Sequence, residues 1–292
     1  MDRRLIGGAA ALGAFGSWGV LPLYFHAVRD VPALQLLAHR ALWAAMLLLA
    51  VVAVFHRWPA IRSALARPFT RWMLLASTAL IAANWLTFIY AVQAARVMEV
   101  SLGYYINPLV NVLLGVVVLR ERLTFVQAIA VALAAAGVAN LAWQTAGLPW
   151  PALVVAGSFG LYGLIRKTTR LASLDGLFLE TGILAPLAAA YLIRAEAIGT
   201  GMFWDAEPGR VALLLMAGVV TAVPLLLFTS AARRISYTAV GFFQYLAPTG
   251  HFLLAVFAFG EPFDWGVQGV TFACIWTALA IVSVNSLRRE RG

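Results

Sequence analysis

The chain has 292 residues, of which 63% are hydrophobic and only 11% are charged. A soluble domain carries roughly 25% charged residues, so this composition excludes an ordinary soluble protein and indicates an integral membrane protein. The backbone of a membrane span must satisfy its own hydrogen bonds, which favours helices of about 20 apolar residues. The single cysteine, Cys274, excludes an internal disulfide.

Apolar stretches follow one another along the whole chain, separated by short polar loops. They predict an all-α integral membrane protein with ten transmembrane helices. The predicted spans are 5–25, 33–55, 72–94, 100–119, 124–141, 150–166, 176–193, 211–231, 238–259 and 265–287. The first span follows two arginines, as a signal peptide does, but its length and its likeness to span six favour a retained helix.

The second half of the chain repeats features of the first. The recurring residues are Tyr105 and Tyr245, Pro108 and Pro248, and Glu121 and Glu261. Five spans in each half is an odd number, so the second half begins on the opposite side of the membrane. The sequence therefore predicts two inverted five-helix repeats, residues 1–145 and 146–292, an organisation typical of secondary transporters.

The formal net charge of +9 reflects the orientation of the spans in the membrane. With the N-terminus in the cytoplasm, 16 of the 21 basic residues fall on the cytoplasmic side, four fall outside and Arg40 lies within span two. This distribution follows the positive-inside rule, so both termini are predicted to be cytoplasmic. The basic residues therefore do not indicate a nucleic-acid partner. Zinc-ligand spacings and phosphate-binding loops are absent from the sequence, and neither a metal nor a cofactor is expected.

Pro108 and Pro248 occupy matching places in spans four and nine. Each proline lacks an amide proton and frees the carbonyl four residues earlier, which belongs to Tyr104 and Gln244 respectively. In transporters such breaks bend a helix or present carbonyl oxygens to a solute, so we expect gating positions here. An ordinary kinked membrane helix is the alternative.

Polar side chains follow the two prolines near the middle of the membrane. Asn111 and His251 come three residues after each proline, and Asn107 and Gln244 share their helix faces. Polar groups at this depth are costly in free energy and should face a cavity or a partner helix. We expect substrate contacts, with hydrogen bonding between helices as the alternative.

Ionisable residues also lie inside predicted spans: His39 and Arg40 in span two, and Glu180 in span seven. Such residues are functional candidates by default. Arg40 suits an anionic group, whereas His39 and Glu180 can titrate and are expected to serve proton coupling. Inverted symmetry places Arg40 and Glu180 at opposite depths, which argues against direct contact, and snorkelling to the interface is the alternative for both.

Aromatic residues beside polar neighbours suggest an aromatic-lined cavity. Such a cavity suits planar or cationic amphipathic substrates. The candidates are Trp85 beside Asn84, Tyr104, Tyr162 and Tyr245, with packing as the alternative for each. Two glutamates, Glu121 and Glu261, lie in loops just before a predicted helix, where a carboxylate stabilises the N-terminus of the following helix.

Several runs resemble the RarD-type permeases of the EamA family, in the drug/metabolite transporter superfamily. These runs are Asn84-Trp85, 102–111, 241–245, Ala38-His39-Arg40, 162–167, Glu180-Thr181 and Val223-Pro224-Leu225. The resemblance implies ten helices, two inverted EamA repeats, a bacterial inner membrane location, and relatives that export amino acids, metabolites or drugs. This chain departs from the family pattern at Gln35, where an acidic residue is usual, at Arg120, where glycine is usual, and at His251, where an apolar residue is usual.

The sequence thus predicts a secondary transporter rather than an enzyme. It would export a small organic solute across the lipid bilayer by alternating access, with proton exchange as the energy source. The predicted substrate-binding residues are Arg40, Asn84, Trp85, Tyr104, Asn107, Asn111, Tyr162, Gln244, Tyr245 and His251. Two alternatives are a membrane-embedded enzyme acting on lipid or peptide through His39, His251 and Glu180, and a subunit of a larger assembly.

Overall fold

The computed structural model describes residues 3–94, 97–143, 150–204, 206–260 and 265–291, which form helices and short connections and contain no strand. The helices are α1 (Arg3–Ala27), α2 (Ala33–Val54), α3 (Trp58–Leu65), α4 (Pro68–Gln93), α5 (Val97–Val117), α6 (Phe125–Trp143), α7 (Trp150–Thr168), α8 (Ser173–Ala197), α9 (Pro208–Ala232), α10 (Tyr237–Gln244), α11 (Leu246–Leu253) and α12 (Val270–Arg291). Two π-helical turns, Leu254–Ala258 and Trp265–Gly269, follow α11 and precede α12.

Several of these helices are long and apolar enough to cross a membrane. By length and composition, six segments of the described residues meet this criterion. They are Arg3–Ala27, Ala33–Val54, Phe125–Trp143, Ser173–Ala197, Pro208–Ala232 and Tyr237–Ala258. Two shorter apolar helices, Ser101–Val117 and Val270–Asn285, lie within α5 and α12. The fold is therefore an all-helical membrane bundle.

The most extensive helix contacts join the two halves of the chain. Helix α1 packs on α9 and α11, α2 packs on α8 and α9, and α7 packs on α4 and α5. Helix α6 pairs with α12 beside this group. The two halves of the sequence consequently enclose one shared interior, in which any central site must lie.

Glycines allow the close approaches that this packing requires. A Cβ atom on Gly250 would lie 2.7 Å from the Gly19 Cα, so α1 and α11 meet backbone to backbone. A Cβ on Gly137 would lie 2.9 Å from the Cys274 Cβ, where α6 meets α12. Lipid tails are as apolar as leucine side chains, so helices in a bilayer associate through such close packing rather than through the hydrophobic effect.

The two prolines affect their helices differently. Helix α5 runs unbroken through Pro108, whereas the equivalent segment in the second half is interrupted at Tyr245, between α10 and α11. The Tyr245 amide bonds to the Phe242 carbonyl at 3.3 Å, three residues back, which tightens this turn. A proline removes only one amide hydrogen bond, and the remaining bonds keep α5 continuous. The helix is thus interrupted close to Pro248 and continuous at Pro108, and the gating role expected of both prolines stays a prediction.

Helix α3 was not expected from the sequence. Its eight residues begin with Trp58 and Pro59, and proline is favoured in the first turn of a helix. Its Ile61 side chain is buried, and the Trp58 ring lies 5.7 Å from the Phe178 ring of α8. A helix of two turns is too short to show a clear hydrophobic period in the sequence.

Candidate functional site

A cavity of about 510 Å³ lies between the two halves of the bundle. Its lining comes from α1, α2, α4, α5, α7, α9, α10 and α11. Seven of the ten predicted substrate-binding residues line it: Arg40, Asn84, Trp85, Tyr104, Asn107, Gln244 and His251. Cavities of roughly 300–1,000 Å³ are typical of small-molecule sites.

The cavity lies toward one end of the bundle. On α1 the lining begins at Phe15 and extends to Phe25, near the end of that helix, and on α2 it extends from Ala33 to Arg40, near the start. On α7 it includes Val155 and Phe159 in the first half of the helix. The cavity is thus displaced toward the connection at 28–32 and away from the first turns of α1.

Arg40 is the charged group of the cavity. Its Nε donates a hydrogen bond to the Thr221 hydroxyl at 3.0 Å, and its guanidinium carbon lies 5.7 Å from the Phe25 ring centroid and 5.6 Å from the Trp85 ring centroid. These distances are within the range of a cation–π interaction. Arg40 is therefore held by neutral partners, all of which line the cavity.

Three amides connect α5, α7 and α10 at the edge of the cavity. Gln244 donates to the Asn107 side-chain oxygen, and Asn111 donates to the Gln244 side-chain oxygen at 2.5 Å. Asn107 in turn donates to the Ala156 carbonyl at 2.9 Å. Asn111 is fully buried within this chain of amides and does not line the cavity. Its position matches the alternative of hydrogen bonding between helices.

His251 lies between two aromatic residues of the lining. Its Nε2 lies 2.9 Å from the Trp18 carbonyl, which can only accept, so Nε2 carries the proton of this bond. The Tyr104 ring meets the imidazole edge to face, with 6.4 Å between centroids. Asn84 is fixed separately by its bond to the Val155 carbonyl at 2.9 Å, which joins α4 to α7.

Two predicted substrate-binding tyrosines lie outside the cavity lining. Tyr162 is fully buried in the packed core, and its hydroxyl donates to Glu180 at 3.1 Å. Tyr245 is 2% exposed and packs among residues of α6 and α12, including Ala134 and Ile275. The gating candidates also differ, because Pro248 lines the cavity whereas Pro108 does not.

Glu180 is the centre of a buried polar cluster beyond the cavity. Its carboxylate accepts from Ser77 at 2.6 Å and from Tyr162, and the Arg166 Nε lies 3.7 Å away. Arg166 and Glu180 are each 1% exposed. Arg40 bonds to Thr221 and not to Glu180, as the different membrane depths predicted for the two residues had indicated. Neither Arg40 nor Glu180 snorkels to a surface.

Arg166, the last residue of predicted span six, was counted among the 16 basic residues of the cytoplasmic loops and tails, and the structure corrects this by burying it within α7. The guanidinium occupies the space that a side chain on Gly176 would need, so the glycine makes room for a buried arginine. It also donates to the Ala172 and Ser173 carbonyls at 3.2 and 3.1 Å. The sequence carries no signal for this contact, because Arg166 and Gly176 come together only when α7 packs against α8.

His39 lies apart from both the cavity and the Glu180 cluster. Its Nδ1 accepts from the Trp43 indole at 3.1 Å, and its ring lies 5.5 Å from the Phe203 ring. The three residues named for the enzyme alternative, His39, Glu180 and His251, therefore occupy separate environments. Within the described residues, no group of three or more His, Cys, Asp or Glu side chains is placed to hold a metal ion.

Polar contacts at the other end of the bundle join loops to helix ends. Asp175, in the first turn of α8, accepts two bonds from Arg57 at 3.0 and 2.8 Å. Hydrogen bonding to this carboxylate raises the pKa of the Arg57 guanidinium above its usual value. Lys167 donates to the Ala232 and Ile235 carbonyls at 2.7 and 2.6 Å, which ties α7 to the end of α9.

Glu121 stabilises a helix N-terminus, but not that of the following helix. Its carboxylate accepts from the backbone amides of Tyr237 and Thr238, at 2.6 and 2.9 Å, in the first turn of α10. The contact therefore joins the two halves of the chain, where the positive end of the helix dipole favours an anion. Glu261, for which the same role was expected, lies outside the described residues.

Taken together, the helices and the cavity define a multi-pass membrane protein with a solute-sized interior site. Comparisons with known proteins agree. Residues 5–143 match the EamA-like transporter family. An uncharacterized transporter of Vibrio cholerae is 44% identical, covering 95% of this chain and 92% of the relative, and protein RarD of Escherichia coli K12 is 41% identical, covering 96% and 95%.

The chain therefore belongs to the EamA-like transporter family, among its RarD-type members. A solved crystal structure shares the fold, with a TM-score of 0.73 and coverage of 96% of this chain and 98% of that one. The two sequences are only 19% identical, so this likeness extends to the fold alone.

Proposed function

We propose that the protein is a secondary active transporter that exports a small organic solute from the cytoplasm by alternating access. It lies in the bacterial inner membrane with both termini in the cytoplasm, in accord with the positive-inside distribution of its basic residues. The observation that carries this proposal is the cavity between the two halves, displaced to one end while the other end is closed by packed side chains.

The helix contacts support two inverted five-helix repeats, 1–145 and 146–292. If α1, α4 and α5 correspond to α7, α9 and α11, exchanging the halves turns the α1–α9 contact into the α7–α4 contact. The same exchange turns the α5–α7 contact into the α11–α1 contact. The exchange is incomplete for one pair, because α2 packs along α9 more extensively than α8 packs along α4. Unequal packing of equivalent pairs is expected when one end is open and the other closed.

The closed end is built from buried aromatic and ionic contacts. Tyr162, Phe228 and Tyr237 are fully buried there, and the Tyr237 hydroxyl donates to the Gly160 carbonyl at 2.6 Å. The Arg166–Glu180 pair lies in the same region. With the termini in the cytoplasm, this end would face the cytoplasm, which supports an outward-facing arrangement of the cavity.

Glu180 is the residue that we propose for proton coupling. Protonation would remove the charge that holds Arg166 and would weaken the buried contacts that join α4, α7 and α8. Proton binding would thus favour opening of the cytoplasmic end. His39 lies outside this cluster, and its role in coupling stays a prediction.

Flux into reconstituted liposomes tests the proposal. The panel comprises radiolabelled amino acids, nucleosides, polyamines, organic acids and amphipathic drugs, each with a solute gradient and with an imposed proton gradient. We expect at least one solute to move faster than in protein-free vesicles, and a protonophore to abolish the flux that the proton gradient drives. Absence of flux for every solute under both gradients would overturn the proposal.

A matched pair of variants tests the position of the site. Trp85→Ala removes a cavity wall and a cation–π partner of Arg40, so we expect flux to fall by about tenfold or more. Trp143→Ala removes the same side chain at the end of α6, where it is 91% exposed, and should leave flux within about twofold. Equal flux in the two variants would contradict the assignment.

A further inference from the structure

The chemistry of the cavity identifies the class of solute that it binds, an inference that rests on the proposed transport function. Arg40 uses its Nε to bond Thr221, while its two terminal amino groups have no hydrogen-bond acceptor among the described residues. A planar guanidinium presents these groups in the fork that matches a carboxylate. The cavity therefore offers a donor pair that its own walls do not satisfy.

Among the described residues, no carboxylate forms an ion pair with Arg40. Within the part of the chain that the structure describes, the ion-paired acidic residues are Asp30 with Arg210, Asp175 with Arg57 and Glu180 with Arg166. No Asp or Glu occurs among the described residues that line the cavity. A guanidinium removed from water without a counter-ion is unfavourable, and a bound anion would relieve this cost.

The rest of the lining is mainly aromatic and aliphatic. Trp18, Phe88 and Phe159 contribute ring surfaces, and Leu36, Leu37 and Leu225 contribute aliphatic surface. The amides of Asn107 and Gln244 are already bonded to each other. The described lining thus combines one positive charge, that of Arg40, with a wide apolar surface.

From these features we propose that the solute is an organic monoanion, whose carboxylate binds Arg40 and whose apolar or aromatic body fills the cavity. Because the described lining offers no carboxylate to an ammonium group, an α-amino substituent weakens binding. This assignment replaces the cationic amphipathic class that the aromatic residues alone suggested, since Arg40 repels a cation.

Matched ligands test the class on the unaltered protein. The probes are 3-phenylpropanoate, its neutral amide and its α-amino derivative phenylalanine, with benzoate and octanoate to vary the body. Dissociation constants are measured by calorimetry and thermal shift in detergent. We expect 3-phenylpropanoate to bind about tenfold or more tightly than its neutral amide. It should also bind more tightly than phenylalanine.

Variants then locate the anion. Arg40→Gln should raise the dissociation constant of the carboxylate at least about tenfold and leave that of the amide unchanged, whereas Arg40→Lys should retain part of the preference. Arg194→Gln, a matched change at an exposed arginine of α8, should bind as the unaltered protein does. The ligand series on the unaltered protein decides the question should Arg40→Gln fail to fold.

Three results would overturn the proposal: equal binding of carboxylate and amide, tighter binding of phenylalanine, or no carboxylate-dependent binding in the whole series. Flux measurements separate this failure from that of the transport function. A carboxylate that binds but does not cross the liposome membrane would contradict transport and support the ligand class. A neutral or cationic solute that is transported without competition from carboxylates would support transport and overturn the ligand class.

Discussion

Arg120 adopts a backbone conformation that disfavours its side chain. Its φ of 56° lies in the left-handed region, where the Cβ atom crowds the following carbonyl at a cost of roughly 1–2 kcal/mol. Gly260, at the matching place of the second half, has a φ of 66° and avoids this cost. The positive φ at position 120 therefore explains why the family resemblance leads us to expect glycine there.

Replacing Arg120 by glycine should stabilise the protein. We expect a gain of about 0.5–1 kcal/mol in the free energy of unfolding, because the relief of strain exceeds the added entropy of the unfolded glycine. Unfolding in mixed micelles measures the change. Arg122→Gly, which removes a neighbouring charge from a residue with negative φ, should be neutral or destabilising, and equal gains in the two variants would show that charge is the cause.

The Arg166–Glu180 pair should respond unequally to single and double substitution. Arg166→Leu leaves a carboxylate buried with only Ser77 and Tyr162 as partners, so we expect a loss of roughly 3–5 kcal/mol in unfolding free energy. Adding Glu180→Leu should recover most of that loss, as judged by a double-mutant cycle. Arg170→Leu, at an exposed arginine two residues beyond α7, is the control. A double variant as unstable as the single one would contradict this account.

Residue types and spacing could predict much of the candidate site, but not which face each residue presents. Arg40, Asn107 and His251 were identifiable because polar groups are costly at mid-membrane depth. Asn111 and Tyr245 satisfy the same argument yet lie in contacts between helices. In lipid, both the outer face and the packed face of a helix are apolar, so the sequence does not distinguish a cavity face from a packing face.

At the scale of helices, Glu121 joins the halves through the N-terminus of α10. We expect Glu121→Ala to lower the free energy of unfolding by about 1–2 kcal/mol, since two backbone amides lose a charged acceptor. The same micelle unfolding assay measures this loss. Glu207 precedes α9 and makes no side-chain cap bond, so Glu207→Ala should change stability by less than about 0.5 kcal/mol. Similar losses in both variants would argue against the cap.

The elements themselves were predictable where the hydrophobic signal is long. Each predicted span overlaps helical residues, because stretches of about 20 apolar residues have few other structures in lipid. The short helix α3 and the interruption at Tyr245 were not predictable in detail. The first lacks a full period, and the second coincides with a local bond of the Tyr245 amide, which reaches the Phe242 carbonyl three residues back at 3.3 Å.

At the scale of the whole molecule, the central claim is that one cavity is reached from each side of the membrane in turn. The closed end depends on buried contacts, including that of Glu121 with Tyr237 between the halves and that of Lys167 with Ile235 within the second half. The open end contains Arg40 and the aromatic lining. Transport requires that the closed end opens while the open end closes. The arrangement of the helices alone does not report on this change.

The most direct test is side-specific thiol labelling, which the single cysteine of the chain makes simple. In a Cys274→Ala background, Leu36→Cys reports on the cavity and Ser77→Cys on the closed end, where Ser77 is 1% exposed. An impermeant reagent is added to either side of oriented liposomes, with and without a solute that moves in the flux assay. We expect Leu36→Cys to react from the side opposite the termini and Ser77→Cys to be protected without solute. Solute should slow the labelling of Leu36→Cys and should make Ser77→Cys reactive from the side on which the termini lie. Labelling rates that solute leaves unchanged, or labelling of both thiols from the same side, would contradict alternating access.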